Sequence, residues 1–514
     1  MDRDRVREEL AKALGDACTW DRATRLTYRH DLWPRTQIKK RFSLPTAEEP
    51  LAIVHARDEA DIEATVKIAG RHGVAVIPCG GGSGVMGGII PLGPAIALDL
   101  KRMARLLDID PVSMLARVEA GKLGEELETE LRARGYTLGH YPSSIHCSTV
   151  GGYAATRSAG QFSNRYGKFE DMVEGLRVYV PAKDRGFLEV DRAADEGAGT
   201  GFVDAFLGSE GTLGVITRVD VRIHPKPTDE AYRGAAFPSV GAGWAAMRDI
   251  LQAGLRPNVL RLYDPFDSIV ALKHGAPKDG PATDRTLEDA ASGAVSLQAL
   301  LGPLRDLADG VGGEVQRQGL RQLLRRPGVT NRLIGRSLKR VAMIIGFEGA
   351  IGAAETDMAS ALEIIARHRG QDHGEEPGLA WLRRRHSVSF KQAQIFHVGG
   401  FVDTFEVATS WRRLPGLYEA VRKAVSSEAF IMAHFSHAYP DGCSIYFTFA
   451  GLRDGPTGAL AQYDRIWRAA VGAATASDAT FSHHHGVGLL KGAFLNREVT
   501  NGRPLYQRYK RLFD

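Results

Sequence analysis

Three consecutive histidines, His483, His484 and His485, lie in a Ser-His-His-His-Gly-Val-Gly run inside the chain. On a strand, the first and third imidazoles would face one way and the second the other way. Because an unperturbed histidine titrates near pH ~6.5, such a group beside a reacting atom suits proton transfer. The i,i+4 spacing of a helical zinc site is absent from the run. On these residues alone, catalysis and a structural or metal-scavenging role are equally compatible with the run.

A second candidate for chemistry is Tyr446, in a segment that follows a turn at residues 440–442. The segment alternates as a strand does, with an apolar face (Ile445, Phe447, Phe449) and a polar face (Ser444, Tyr446, Thr448). Tyr446 therefore projects among polar neighbours, which suits a phenol that moves a proton or orients a substrate. A tyrosine at the rim of an amphipathic strand would produce the same pattern.

The elements that must position such residues begin with a predicted strand over residues 51–56 and a helix capped by Asp58 and closed by Gly73. A buried strand over residues 74–77 then enters a glycine-rich loop, Gly80-Gly81-Gly82-Ser83-Gly84. Its glycines allow positive φ angles, and its N–H groups could converge on phosphate oxygens. The loop matches neither the dinucleotide fingerprint nor the nucleotide-hydrolase phosphate loop. A plain flexible loop is the alternative interpretation.

Two later segments add small polar residues. Residues 143–160 follow a predicted strand over 115–120 and a helix with a leucine stripe that ends at Gly135. Residues 208–217 pass from a glycine turn into a β-branched strand. Small hydroxyl residues and paired glycines can bind a diphosphate and a heterocycle without adding bulk.

Together these three segments resemble the vanillyl-alcohol oxidase family, the PCMH-type FAD-binding family. Its signature is a glycine-rich diphosphate loop, a Ser-Thr-Val-Gly-Gly stretch and a Gly-Ser-Glu-Gly-Thr-Leu-Gly-Val-Ile element, which stand here at residues 80–84, 148–152 and 208–216. The resemblance implies an α+β fold, with a two-subdomain PCMH-type FAD-binding domain and an α+β cap domain for the substrate. The residues that it assigns to FAD are Pro78, Gly80, Gly81, Gly82, Ser83, Gly84, Ser143, Ser144, Ser148, Thr149, Gly152, Thr156, Ser158, Glu210, Gly211, Val215 and Ile216.

The manner of FAD attachment follows from the first loop. Some relatives bind FAD covalently through a histidine or cysteine there, and residues 80–84 contain neither. We therefore predict non-covalent FAD, with Cys79, just before the loop, as the weaker covalent alternative.

The histidine run and the Tyr446 strand resemble the alkylglycerone-phosphate synthase branch of this family, over residues 45–265 and 400–495. That branch carries a comparable Ile-Tyr-Phe strand and the same histidine run. By this resemblance, Tyr446, the three histidines and Arg261 serve the reaction. The implied reaction exchanges the acyl group of acyl-dihydroxyacetone phosphate for a long-chain alcohol through an adduct at the flavin N5 atom, without net oxidation. Arg261 would pair with phosphate or support the site bidentately.

One departure keeps a second activity open. Where the synthase branch has an arginine that meets the substrate, this chain has Gln392, with Lys391 beside it. Lysine lacks the bidentate fork of arginine, and the nearby Arg383–Arg385 run is predicted to be a solvated face. The alternative function is an FAD-dependent oxidase or dehydrogenase of a 2-hydroxy acid or an alcohol.

At 514 residues, the chain is too long for one ordinary core. We predict an N-terminal helical segment, an FAD-binding domain, a cap domain and a C-terminal segment that carries the histidines and packs back on the flavin, with bounds 1–44, 45–227, 228–450 and 451–514. Residues 275–335 form a loosely patterned insertion with a helical stretch near residues 297–307.

The composition limits the classes of ligand and partner that the protein is expected to bind. Four scattered cysteines without a CxxC pair argue against a disulfide scaffold and a zinc site, so no metal is predicted. No secretory signal or membrane span is legible, which predicts a cytoplasmic, bacterial-type protein. A net charge of +5 permits anionic substrates and a peripheral membrane contact but does not demand nucleic acid. The predicted partners are a small or lipid-like substrate and a second copy in a homodimer.

Overall fold

The structure is a computed structural model that describes residues 2–182, 185–193, 201–272, 314–337, 340–387, 393–495 and 502–514. Two predicted features lie outside these residues: the helical stretch near residues 297–307 and the position of Gln392 with its neighbour Lys391. The chain forms two compact units. The first contains Met1–Gly160, Tyr166–Lys226 and His484–Asp514, and the second contains Gln161–Arg165 and Pro227–His483.

The strands are β1 (Cys18–Thr19), β2 (Ala52–His55), β3 (Ala75–Cys79), β4 (Ala95–Asp99), β5 (Leu106–Asp110), β6 (Leu115–Glu119), β7 (Tyr136–Thr137), β8 (Val173–Val180), β9 (Gly186–Asp191), β10 (Val215–Arg222), β11 (His224–Pro225), β12 (Asp229–Phe237), β13 (Val259–Tyr263), β14 (Val341–Gly349), β15 (Gln371–Asp372), β16 (Phe401–Ser410), β17 (Phe430–Ala438) and β18 (Gly442–Gly451).

The helices are α1 (Arg3–Leu14), α2 (Arg22–Thr27), α3 (Pro34–Arg41), α4 (Glu59–His72), α5 (Gly124–Ala133), α6 (Val150–Thr156), α7 (Ser163–Tyr166), α8 (Phe169–Met172), α9 (Phe202–Phe206), α10 (Val240–Gln252), α11 (Pro265–Leu272), α12 (Glu314–Arg325), α13 (Pro327–Ser337), α14 (Ala353–Arg367), α15 (Glu376–Arg384), α16 (Ala393–His397), α17 (Leu414–Val425), α18 (Pro456–Ala476), α19 (Gly488–Gly492) and α20 (Gly502–Phe513). Among the described helices, none has the length and sustained apolar character that crossing a membrane requires.

The first unit contains two main sheets. One has the order β1-β2-β4-β3, in which β2, β4 and β3 run parallel. The other is antiparallel, in the order β5-β6-β10-β8-β9. The connection from β2 to β3 is α4, and its predicted caps are confirmed: the side chain of Asp58 accepts from the N–H of Asp61, and Gly73 ends the helix with φ +63°. The glycine-rich loop leaves the carboxyl end of β3, an edge strand that tolerates Pro78.

The second unit is built on an antiparallel sheet in the order β15-β12-β14-β13-β17-β18-β16. The predicted alternation of the Tyr446 strand is confirmed, because Ile445, Phe447 and Phe449 are each buried to 1% exposure or less. These side chains face α17 and α18; the ring of Phe449, for example, lies 6.0 Å from that of Trp467. Because side chains alternate along a strand, the opposite face of the sheet carries the polar residues.

The C-terminal part of the chain divides between the units, whereas one segment over residues 451–514 is expected from the sequence. Residues 451–483 belong to the second unit and residues 484–514 to the first. The reason is α18, which buries Tyr463 and Trp467 against the sheet of the second unit. The functional names given to the domains stay predictions.

A buried carboxylate fixes β16 to α18. Asp403 accepts from the hydroxyl of Tyr463 at 2.5 Å, from Nε1 of Trp467 at 3.0 Å and from the N–H of Thr404 at 2.7 Å. All the donors are buried, so each would lose its partner without the acid. This anchor sets the strand that carries Glu406.

We expect Asp403→Ala to lower the free energy of unfolding of the second unit by about 2–4 kcal/mol, because it leaves two buried side-chain donors without an acceptor. Urea unfolding followed by tryptophan fluorescence measures the change. The control is Asp454→Ala, whose partner is Arg325 and whose side chain is 77% exposed, so the expected effect is below about 0.5 kcal/mol. Equal stability of the two variants would contradict the anchor.

Candidate active site

The first two predicted cofactor segments lie against each other in the first unit. A Cβ placed on Gly81 would lie 1.7 Å from the carbonyl oxygen of Cys147, and one on Gly80 would lie 2.2 Å from Oγ1 of Thr149. These distances are far below van der Waals contact, so no side chain fits at either position. The two glycines are therefore required by the packing of loop 80–84 on loop 143–149, a reason that the sequence does not reveal.

The third cofactor segment joins the other two at a tight turn. Gly211 has φ +74°, and a Cβ there would lie 3.0 Å from Cδ of Pro78. The N–H of Glu210 donates to the carbonyl of Ala155, at 3.0 Å, on helix α6. All three segments that the resemblance assigns to FAD are thus neighbours within one unit.

The glycine-rich loop has the properties of an anion site. Within the described part of the chain, the backbone N–H groups of residues 81–84 donate no hydrogen bond. Gly82 adopts φ +63°, a conformation that helps successive N–H groups to converge. Nζ of Lys101 lies 3.0 Å from the carbonyl oxygen of Gly80, at the base of the loop, and also pairs with the carboxylate of Asp99 at 2.8 Å. These features fit the diphosphate of FAD, and Lys101 is a candidate that sequence reasoning missed.

Several predicted cofactor side chains have partners within the protein. Oγ of Ser148 donates to the carbonyl of Ser144 at 2.7 Å, and Oγ1 of Thr149 caps helix α6 by accepting from the N–H of Gly152. The hydroxyl of Thr156 donates to the carbonyl of Gly152 at 2.9 Å. These bonds hold the loop and the helix in shape. Contact between these residues and FAD stays a prediction.

The remaining assigned residues lie in the same region. Oγ of Ser158 lies 3.2 Å from Nε2 of His140, whose ring packs against that of Tyr153. Burial lowers the pKa of His140 to about 3, so this imidazole is neutral. Val215 and Ile216 begin β10, and both side chains are buried. Ser143 is exposed in its loop.

Glu210 has a second role, which the sequence does not show. Its carboxylate accepts from the N–H of Val487 at 3.2 Å and from the N–H of Gly488 at 3.0 Å. A Cβ on Gly486, at φ +80°, would lie 2.5 Å from Oε1 of Glu210. Burial raises the pKa of Glu210, and these backbone bonds oppose the rise. The acid thus holds the Gly-Val-Gly segment that directly follows His484 and His485, whose rings pack edge to face at 4.4 Å.

In the second unit, strand register aligns four side chains in a row. Tyr263 of β13 pairs with His434 of β17, His434 pairs with Tyr446 of β18, and Tyr446 pairs with Glu406 of β16. Directly opposed residues of an antiparallel pair share one face. The ring of His434 stacks on that of Tyr446, at 4.7 Å between centroids. This row is the polar face of the sheet.

Arg261 and His483 both join the row. Nη2 of Arg261 lies 2.6 Å from Nε2 of His434. Oε1 of Glu406 accepts from the hydroxyl of Ser482 at 3.1 Å and from the N–H of His483 at 3.2 Å. Within one unit, the structure therefore places Arg261 and Tyr446 against His434, and the backbone of His483 against Glu406.

The imidazole of His483 lies in a second polar cluster. Its Nε2 is 3.0 Å from the hydroxyl of Tyr439, and its ring stacks on that of His437 at 5.4 Å. Nδ1 of His437 lies 2.6 Å from Oγ of Ser163. His483 is thus positioned by aromatic and hydroxyl groups as well as by Glu406.

Tyr446 is a protonated phenol at neutral pH. Burial, above all, and the nearby acids Glu406 and Asp403 raise its pKa to about 12, although a hydrogen bond with Thr404 opposes the rise. A phenol in this state can donate a proton or a hydrogen bond.

His434, His437 and Glu406 are polar neighbours that sequence reasoning missed. A signal exists: two histidines interrupt the apolar strand β17, and a glutamate interrupts the apolar strand β16. Buried groups of this kind need partners. The partners themselves come from distant parts of the chain and cannot be read locally.

The prediction of a solvated face over Arg383–Arg385 needs one correction. Arg383 and Arg384 are exposed, and Arg383 pairs with Glu376. Arg385 instead is half-buried and lies over the ring of Phe162 at 4.5 Å. The reason is a turn after α15, which directs this one guanidinium toward an aromatic surface.

Two family models match the chain. Residues 50–183 match the model described as FAD binding domain. Residues 226–514, more than half of the chain, match the model described as FAD linked oxidases, C-terminal domain. The chain belongs to the FAD-linked oxidase family.

Individual relatives refine this picture. The alkyldihydroxyacetonephosphate synthase of Dictyostelium discoideum is 28% identical over 509 residues, which cover 97% of this chain and 76% of that protein. A solved alkyldihydroxyacetonephosphate synthase is 25% identical, with a TM-score of 0.76, over 100% of this chain and 85% of that one. The glycolate oxidase subunit GlcD of Bacillus subtilis (strain 168) is 30% identical over 260 residues, 50% of this chain and 53% of that protein.

These findings confirm the α+β, PCMH-type FAD-binding fold and the resemblance to the synthases, which are also called alkylglycerone-phosphate synthases. FAD is the cofactor of this family member. The chain is a flavoenzyme that acts on a small-molecule substrate.

We expect Gly81→Ala to weaken FAD binding by at least about 10-fold, because the new methyl group must push loop 80–84 away from loop 143–149. Titration of the apoprotein with FAD, followed by flavin fluorescence, measures the dissociation constant. Gly70→Ala is the control, since Gly70 lies on the exposed side of α4 with no atom within 4 Å of its added Cβ. Native FAD affinity in the Gly81 variant would refute the packing argument.

We also expect trichloroacetic acid to release the flavin into the supernatant. Loop 80–84 contains neither histidine nor cysteine, and burial raises the pKa of the Cys79 thiol to about 12, so the reactive thiolate is scarce. Absorbance of the supernatant and of the redissolved pellet measures the partition. A pellet that keeps its flavin after denaturation would show a covalent link.

Proposed function

We propose that this chain exchanges the acyl group of acyl-dihydroxyacetone phosphate for a long-chain alcohol, as an alkylglycerone-phosphate synthase-like transferase. The observation that carries the proposal is the polar row of the second unit, where His434 contacts Arg261 and stacks on Tyr446, and Glu406, opposite Tyr446 in the ladder, holds the backbone of His483. These are residues that the resemblance assigns to the reaction. Similarity to a synthase along nearly the whole chain supports the same conclusion.

The exchange has a simple balance. The bond between the substrate's C1 and the acyl oxygen breaks, a bond from C1 to the alcohol oxygen forms, and a fatty acid leaves. The proton lost by the alcohol must be moved, and no electrons are gained or lost overall. Oxidised FAD would supply an electron sink at its N5 atom.

The side chains would divide the remaining work. Tyr446, as a protonated phenol, would donate to the departing acyl oxygen, and the imidazole of His483, in the same unit, would take the proton that the arriving alcohol loses. Arg261 would bind an anionic oxygen of the substrate through its planar fork. Glu406 would act through His483, because it fixes the backbone at the start of the histidine run.

A second candidate is an FAD-dependent oxidase or dehydrogenase of a 2-hydroxy acid or alcohol. Membership of the FAD-linked oxidase family and the similarity to a glycolate oxidase subunit favour it. Gln392, in place of the synthase arginine, is the sequence feature that agrees with it. Here a histidine would take the hydroxyl proton while hydride leaves the carbon.

We expect the flavin-replete enzyme to convert palmitoyl-dihydroxyacetone phosphate and labelled hexadecanol into an ether lipid, detected by chromatography of the label. Tyr446→Phe should lower the rate by about 100-fold or more, because it removes the proton donor and leaves the ring. Tyr136→Phe, on β7 in the other unit, is the matched control and should keep the native rate.

An anaerobic titration with candidate substrates, followed by the flavin absorbance spectrum, distinguishes the two functions. Bleaching of the flavin by D-lactate or glycolate, with no ether lipid formed, would replace the first proposal with the second. A perturbed but unreduced spectrum with the acyl substrate would support transfer. The homodimer, the peripheral membrane contact and the cytoplasmic location stay predictions.

A further inference from the structure

The guanidinium of Arg261 is held by a histidine that is itself held by a carboxylate. Nη2 of Arg261 lies 2.6 Å from Nε2 of His434, and Nδ1 of His434 lies 2.9 Å from Oδ2 of Asp267. His434 is 8% exposed and Asp267 is 6% exposed, so water competes little for these bonds. Asp267 stands in the first turn of α11, which directly follows the strand that carries Arg261.

The hydrogen-bond donors and acceptors of Arg261, His434 and Asp267 are compatible with only one placement of the protons. Arginine has no acceptor, so Nε2 of His434 must accept and carries no proton. The proton of the neutral ring then lies on Nδ1, and an ionised carboxylate can only accept it. Burial, together with Arg261, keeps the pKa of His434 well below its ordinary value. Burial raises the pKa of Asp267 to about 6, and the charge of Arg261 opposes the rise.

This arrangement fixes the Nη2 end of the guanidinium, and the other N–H groups of Arg261 stay available to a ligand. Nε of Arg261 is buried and has no hydrogen-bond partner among the described residues. The guanidinium also lies over the ring of Tyr263 at 5.4 Å, which restricts its plane. A guanidinium held in this way presents its remaining N–H groups in a fixed fork that matches a carboxylate or phosphate oxyanion.

We infer that Asp267 and His434 are positioning residues, which aim Arg261 at an oxyanion of the substrate by fixing the tautomer of His434. This inference rests on the proposed function for the substrate, and on the contacts above for the relay. His434 also stacks on Tyr446, so the same imidazole sets the plane of the phenol ring.

The substitution Asp267→Asn tests whether the carboxylate fixes the tautomer of His434. Asparagine has nearly the shape of aspartate, but its amide can donate as well as accept. It would permit the other tautomer, in which the N–H at Nε2 points at an arginine that has only donors. In the serine-protease triad, the equivalent substitution leaves the geometry intact and lowers kcat by about 10⁴ through the wrong tautomer.

The experiment compares native holoenzyme, Asp267→Asn, Asp267→Glu and a matched control, Asp249→Asn. Asp249 also pairs with a histidine, His368 at 2.8 Å, but on a more exposed surface. Two-bond nitrogen–proton NMR spectra of protein labelled with [15N]histidine report each tautomer, and His434→Gln identifies the resonance. Ether-lipid turnover, FAD content and melting temperature are measured on the same samples.

The expected result is an Nδ1–H tautomer for His434 in the native protein, lost in Asp267→Asn and kept in the control. The value of kcat/KM should fall about 10- to 100-fold in Asp267→Asn, with FAD content and melting temperature unchanged. Asp267→Glu, which restores an acceptor-only group, should recover most of it.

A protonated His434 or an Nε2–H tautomer in the native protein would overturn the inference, whatever the turnover. So would native kcat/KM in Asp267→Asn. Absence of ether lipid from the native holoenzyme would instead overturn the proposed transferase, and the tautomer would still test the relay.

Discussion

A carboxyl oxygen accepts hydrogen bonds from N–H groups, and three buried or half-buried acids orient the candidate site residues in this way. In the first unit, Glu210 holds the N–H groups of Val487 and Gly488. In the second unit, Glu406 holds the N–H of His483, and Asp267 sets the proton of His434. Each acid therefore acts on a group that its own position in the sequence does not reveal.

Strand register converts these separate bonds into a site. The residues of the polar row come from four strands, and each lies opposite the next because the antiparallel ladders fix its partner. A slip of one residue in any ladder would turn the side chain to the opposite face. The apolar packing of Phe447 and Phe449 on the helices behind the sheet resists that slip, so the core protects the geometry of the polar face.

Local patterns in the sequence predict much of this architecture. Asp58 and Gly73 mark both ends of α4, and the alternation around Tyr446 gives the correct faces of β18. The glycine and hydroxyl segments predict a flavin-binding domain, which the family match confirms. These predictions are correct because helix caps, turns and strand alternation depend on residues within a few positions of each other.

The missed features depend on distant partners. Nothing near Glu406 indicates that it meets a backbone more than seventy positions later, and nothing near Asp267 indicates His434. The prediction of a solvated face is wrong for Arg385, because a run of like charges gives no sign of the aromatic ring beside its last member. Such contacts depend on how the strands and helices are arranged in the fold, and a short stretch of sequence does not specify that arrangement.

The close approach at Gly80 and Gly81 changes how sequence variation at these positions should be interpreted. A mutational scan selected only for a folded protein, in medium that makes the flavin chemistry dispensable, would still disfavour larger residues there, because the side chain of Thr149 and the carbonyl oxygen of Cys147 already occupy the space. Invariance at these two positions in a set of homologues would therefore record steric exclusion, and by itself would say nothing about whether a given homologue has kept its cofactor.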